Sequence, residues 1–109
     1  MMKIILFLIL CLLSFFTKAE ELNREFFTKG KELSGSCAGC HGVDGISPVS
    51  TNPNLAGQKE EYLQYALRLY RARERVGGLA YIMHLNAGGL SDKDIEALAY
   101  FFSNVEKSN

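Results

Sequence analysis

Cys37-Ala38-Gly39-Cys40-His41 is the stretch whose reading decides the fold. Two thiols three apart, with an imidazole directly after the second, suit covalent attachment of a haem: each sulfur adds to one vinyl group while the histidine reaches the iron from the same side. Two other chemistries use part of the pattern. A thioredoxin-like dithiol needs a strand before it and alternating strands and helices around it, and a structural zinc site needs four ligands. Beyond the pentapeptide the chain offers only Cys11 and His84. Compartment, a second iron ligand and fold class decide among the three.

Compartment is read from the start of the chain. Lys3 precedes an unbroken run of apolar residues and one serine from Ile4 to Phe16, and Thr17-Lys18-Ala19 places small residues three and one before a cut after Ala19. This is the pattern of a secretory signal peptide. The run is about 13 residues, short of the roughly 20 that a spanning helix needs. A lipoprotein cut at Cys11 fits less well, because bulky Leu10 precedes it. Residues 1–19 are therefore expected to leave as a signal, with no stable membrane span remaining, and 20–109 to form one exported, periplasmic domain. Cys11 departs with the signal. The remaining two cysteines then enter a compartment where a free pair oxidises unless thioether bonds consume it.

The chain has 12 basic and 12 acidic residues, and loss of Lys3 and Lys18 leaves 10 against 12, a formal charge of −2. That balance speaks against nucleic-acid binding. A domain of about 90 residues buries a limited core, and a haem wrapped by it supplies interior that the chain lacks.

Three helices are legible. In residues 22–35, Phe26, Phe27, Gly30 and Leu33 recur at helical spacing up to Gly35. Residues 58–74 carry Leu63, Ala66, Leu67 and Tyr70 on one face, with Glu60 and Glu61 early and Arg68, Arg71, Arg73 and Arg75 late, as the helix dipole favours. Gly77-Gly78 is read as its end, and the arginines as a solvated face of which one or two can meet haem propionates. The third helix starts at Leu90-Ser91-Asp92-Lys93-Asp94-Ile95, where Ser91 is an N-cap with Asp94 in the reciprocal position. Ile95, Leu98, Ala99 and Phe102 follow as its inward face.

Between these helices lie two loops with chemical content. Residues 42–57 are rich in glycine, proline, asparagine and serine and read as an ordered loop. The carbonyl of Pro48, like any other nearby, can accept the proton on the far nitrogen of His41. Residues 79–90 carry Met83, the one methionine outside the expected signal. A thioether is a soft, neutral ligand that suits haem iron opposite an imidazole and raises the potential. His84 competes for the same role, and bis-histidine ligation lowers the potential.

The succession of helix, C-x-x-C-H, proline loop, middle helix, methionine segment and capped last helix resembles the class I c-type cytochromes, in particular the small bacterial periplasmic single-haem type and single domains of its two-haem relatives. The resemblance rests on Cys37 to Gly45, Ser47-Pro48, Pro53-Asn54-Leu55-Ala56-Gly57-Gln58 and Leu90 to Ile95. It implies an all-α cytochrome c fold, with about three main helices and ordered loops around one covalent haem c. It further implies thioethers at Cys37 and Cys40, His41 and Met83 as the iron ligands, and Pro48 as the residue whose carbonyl orients His41. Met83 stands seven residues before Leu90, the family's register, which selects it over His84. Gly30 matches the position where first and last helices meet, with Tyr100 or Phe101 as aromatic partner. The implied function is one-electron transfer between redox proteins that dock transiently, without enzymatic catalysis. The alternative reading is the haem subunit of a larger redox enzyme, and an open sixth position would instead suit a gas-binding or catalytic haem protein.

Overall fold

The structure, a computed structural model, describes residues 1–105. Five α-helices follow one another: α1 Met2–Leu33, α2 Ala38–His41, α3 Glu60–Arg71, α4 Ala80–Ala87 and α5 Asp92–Asn104, with a 3₁₀ turn at Ser34–Ser36 between the first two. No strand occurs among the described residues. The expected first helix is present but is the end of a longer one, since α1 runs without interruption through Ala19. Its apolar half is long and apolar enough to cross a membrane, and none of it is buried against the rest of the fold. A signal sequence has the same properties.

The core lies between the second half of α1, α3 and α5. Leu63, Leu98, Ala99, Phe101, Phe102 and Val105 form its centre, with Phe27, Leu33, Leu55 and Leu67 packed around them. The last helix is the most deeply buried element because Ile95, Leu98 and Phe102 share one inward face and Ala97, Ala99 and Phe101 widen it. Burial on nearly all sides of a helix is the pattern of a core element.

Gly30 makes the crossing of α1 and α5 possible. A Cβ added there would collide with the carbonyl oxygen of Ala97 and lie 2.6 Å from Cβ of Phe101. With the glycine in place the backbones touch, and aromatic rings close the seam on both sides. Phe27 meets Phe101 edge-on at 5.1 Å, and Phe26 lies 6.4 Å from Tyr100. Both expected aromatic partners of the crossing are thus used.

The expected end of the middle helix is corrected. The helix ends at Arg71, six residues before Gly77. Glu74 N donates to Leu69 O (2.9 Å) and Arg73 N to Tyr70 O (3.0 Å), the paired bonds of a Schellman turn. Arg73 holds the left-handed position, at φ 59°, that such a turn usually gives to glycine. The turn therefore leaves no glycine signal, and the nearest glycines misplace it. Residues 79–90, expected as a loop, contain the two-turn helix α4 instead.

Candidate functional site

The pentapeptide is itself folded into a helical turn. His41 N and Cys40 N both donate to Cys37 O, at 3.0 and 3.3 Å. Such a turn carries residues three and four apart on one side, so Cys37, Cys40 and His41 share a face. Both cysteines are free thiols, Cys40 exposed and Cys37 half-buried. Burial pushes the Cys37 thiol up from its ordinary range, with Cys40 beside it acting in the same direction and the Ser36 hydroxyl against it. A raised thiol stays protonated at neutral pH and is a slow partner in disulfide exchange.

His41 is 8% exposed, and its Nδ1 lies 2.8 Å from the carbonyl oxygen of Pro53. A carbonyl can only accept, so Nδ1 carries a proton and Nε2 is the ring nitrogen left for a metal. The imidazole is presented as a metal ligand with its tautomer fixed from behind. This corrects the expectation for Pro48: the carbonyl that meets His41 is that of Pro53, in the same loop.

The reason is the way the loop is stapled. Cys40 O accepts from Asn52 Nδ2 (3.0 Å), the single proton of the Ser47 hydroxyl is shared between Cys40 O (2.9 Å) and Val49 O (2.8 Å), and Ser47 N donates to Asn54 Oδ1 (2.7 Å). Leu55 N and Ala56 N then close onto Gly45 O, at 2.7 and 3.1 Å. Residues 48–51 lie exposed beyond these contacts, while the returning limb of the loop brings the Pro53 carbonyl to His41 Nδ1. Pro53 stood within a recognised motif, yet sequence assigned it no role, and nothing local distinguishes its carbonyl from that of Pro48. Ser47 and Asn52 were missed as well, for their bonds to Cys40 depend on the folded loop.

Gly45 is required at the closure. Its φ is +78°, and a Cβ would lie 2.8 Å from Ala56 N and 2.9 Å from the Phe102 ring. Gly57 N donates to Phe102 O at 3.0 Å, which ties the end of the loop to α5.

Met83 is half-buried on α4. Its neighbour His84 is engaged elsewhere: Nε2 lies 2.7 Å from Arg75 O, so that nitrogen is a donor, and its ring lies 6.2 Å from Tyr70. The arginines split in their roles. Arg71 binds Leu90 O at 3.1 Å and Asp92 at 2.7 Å, joining α3 to the start of α5. Arg75 stacks on Tyr70 at 4.9 Å and reaches the Tyr62 hydroxyl at 3.4 Å, and Arg68 bonds Gln64 at 3.3 Å.

The donor set fits a haem. Two free thiols and an imidazole lie on one turn, a thioether is carried by a separate short helix, and Ile46 and Val49 of the neighbouring loop leave 47% and 43% of their surface exposed. Apolar side chains left uncovered beside a ligand set suit a flat apolar ring.

Comparison with known proteins agrees with this chemistry. The family model described as cytochrome c matches residues 27–106. Cytochrome c-554(548) of Halomonas halodenitrificans is 42% identical over 77 residues, which is 71% of this chain and 93% of that protein. The cytochrome subunit of sulfide dehydrogenase from Chlorobaculum tepidum is 37% identical over 82 residues, covering 75% of this chain and 71% of that protein. Among solved structures, reduced recombinant cytochrome c4 from Pseudomonas stutzeri superposes with a TM-score of 0.67 at 30% identity, covering 73% of this chain and 48% of that one.

Proposed function

The chain belongs to the cytochrome c family, and from that premise we propose that it is a periplasmic electron carrier with a single haem c, bound through Cys37 and Cys40 and ligated by His41 and Met83. It is an electron-transfer protein and not an enzyme. Bound haem supplies a reversible ferrous/ferric couple, and the protein sets the potential by ligand identity and burial.

The observation that carries the reading is the hydrogen bond from His41 Nδ1 to Pro53 O, because it fixes the direction of the ring and leaves Nε2 as the nitrogen for the iron, on the same turn as both thiols. The chain's own residues divide the remaining work. Cys37 and Cys40 anchor, the stapled loop orients the imidazole, and the contact at Gly30 holds α1 against the helix that backs the loop. Met83 is favoured over His84 by its register before Leu90 and by the engagement of His84 Nε2 with Arg75 O. Held by both His41 and Met83, the iron of a bound haem would offer no open site for gas binding or catalysis. Export follows from residues 1–19 acting as a signal cut after Ala19. Donor and acceptor are redox proteins that dock briefly through a small interface, and nucleic acid is not among the partners.

Spectra of the exported, haem-loaded protein test this. The ferric form should show the weak near-infrared sulfur-to-iron band, and the ferrous form should not bind carbon monoxide rapidly at neutral pH. Met83→Ala should abolish the band and admit carbon monoxide. Rapid, stoichiometric carbon monoxide binding by the unaltered protein would overturn the carrier reading.

A second reading is favoured by one comparison. A relative sharing 37% identity over most of its length is the cytochrome subunit of a sulfide dehydrogenase, so this chain can instead be the haem subunit of a larger redox enzyme. Copurification of a stoichiometric catalytic partner with the native protein would select it.

A further inference from the structure

Met83 and His84 are neighbours on α4, and the contacts of His84 bear on how firmly Met83 is held. Helix α4 has eight residues and neither a side-chain cap nor an acidic residue at its start. A helix of that length is marginal alone and depends on tertiary contacts. Ala80 and Ala87 are its buried positions, and Met83 and His84 stand at i+3 and i+4 between them, on the same stripe. The other side is open, with Tyr81 58% and Leu85 74% exposed.

His84 supplies the polar contact of that stripe. Its Nε2–H donates to Arg75 O at 2.7 Å, and its ring packs beside Tyr70, on which the Arg75 guanidinium also rests. The acceptor is itself fixed. Arg75 follows the Schellman turn directly, and Leu69 O receives both Glu74 N (2.9 Å) and Arg75 N (3.4 Å). A hydrogen bond to a rigid main-chain point, one residue from Met83, restrains the whole short helix.

We propose that His84 is a positioning residue for the sixth iron ligand: by clamping α4 to the C-terminal turn of α3 through Arg75 O, it keeps the Met83 thioether from leaving the iron. This rests on Met83 being that ligand. Movement of α4 carries Met83 away from the iron, and contacts present only in the closed state lower the population of the open one.

The test uses exported, haem-loaded ferric protein and imidazole as the probe, since imidazole binds only when Met83 has left. The wild type should show the sulfur-to-iron band and bind imidazole slowly. In His84→Ala, which removes the hydrogen bond and the ring contact, imidazole binding should accelerate about five- to tenfold. His84→Gln, whose amide N–H can reach the same carbonyl, should return the rate to within about twofold of wild type, as expected when the hydrogen bond dominates. Tyr70→Leu, which removes the ring but leaves the carbonyl, should give an intermediate rate. The denaturant midpoint is read alongside, because general destabilisation moves it together with the rate and is not relieved by glutamine. An unchanged rate in His84→Ala, or glutamine behaving as alanine does, overturns the clamp while the wild-type band upholds Met83. Absence of the band in wild type overturns the ligand assignment, and the clamp with it.

Discussion

The Nδ1 of His41 and the carbonyl oxygen of Pro53 are 2.8 Å apart although twelve residues separate them in the chain. That distance is set by the loop between them, and Cys40 O is where the loop is gathered, since Asn52 donates to it and the Ser47 hydroxyl shares its proton between it and Val49 O. Ser47→Ala and Asn52→Ala should each cost about 0.5–1.5 kcal/mol, the usual net value of one hydrogen bond. The two donors share an acceptor, so either alone still satisfies it, and the double variant should cost more than the sum. Denaturant unfolding of the haem-loaded single and double variants measures the coupling, and strict additivity would show that the staple is two independent bonds.

Gly30→Ala places a methyl group against the Ala97 carbonyl oxygen and within 2.6 Å of Cβ of Phe101. The obstruction is main chain, which no rotamer change relieves, so α1 and α5 must separate along their seam. Overpacking of this kind costs about 1–3 kcal/mol, and the upper end is expected. The denaturation midpoint should fall and the yield of haem-loaded exported protein with it. A variant as stable as the wild type would mean that the two helices can shift apart freely.

Arg73 holds the left-handed position of the Schellman turn at φ 59°. A residue with a Cβ pays roughly 1–2 kcal/mol there, part of which glycine returns through its larger unfolded-state entropy. Arg73→Gly should therefore stabilise the haem-loaded protein by about 0.5–1 kcal/mol, read as a higher unfolding midpoint with unchanged slope. A loss of stability would reveal a favourable contact of the arginine side chain that outweighs the backbone strain.

Residues whose meaning lies in local pattern were legible in the sequence. The pentapeptide names its own chemistry, Ser91 and Asp94 form the expected capping box (Asp94 N to Ser91 Oγ 3.1 Å, Ser91 N to Asp94 Oδ2 2.9 Å), and Gly30 sits at the expected crossing. What was not legible depends on which way a loop folds back. Pro48 and Pro53 are equivalent as sequence, and only the closure of Leu55 and Ala56 on Gly45 O decides between them. The end of α3 was hidden because an arginine occupies a glycine's place. Helix α4 was hidden because its apolar residues are not gathered on one face, so helical periodicity gives no signal. The continuity of α1 through Ala19 joins two segments that the sequence reading treats separately.

Asp94 connects the cap of α5 to α1, because one oxygen accepts from Ser91 N while the other lies 3.2 Å from Lys29 Nζ. The Ser91 backbone N–H and then Lys29 hold its carboxyl below the ordinary range. The sign follows from linkage. A depressed folded pKa means that the unfolded chain binds the proton more readily, so the stabilisation is fully present above the unfolded value, about 4, and is lost as pH falls through the folded one. Asp94→Asn keeps the size of the side chain but removes the titrating charge. It should be less stable than the wild type at pH 7, and the gap should close as pH falls below about 4. Ser91→Ala removes the other half of the box and should cost about 1 kcal/mol at pH 7. Unfolding midpoints of the three haem-loaded proteins from neutral to acid pH decide it: parallel curves for wild type and Asp94→Asn would show that the carboxylate charge contributes nothing to the junction of α1 and α5.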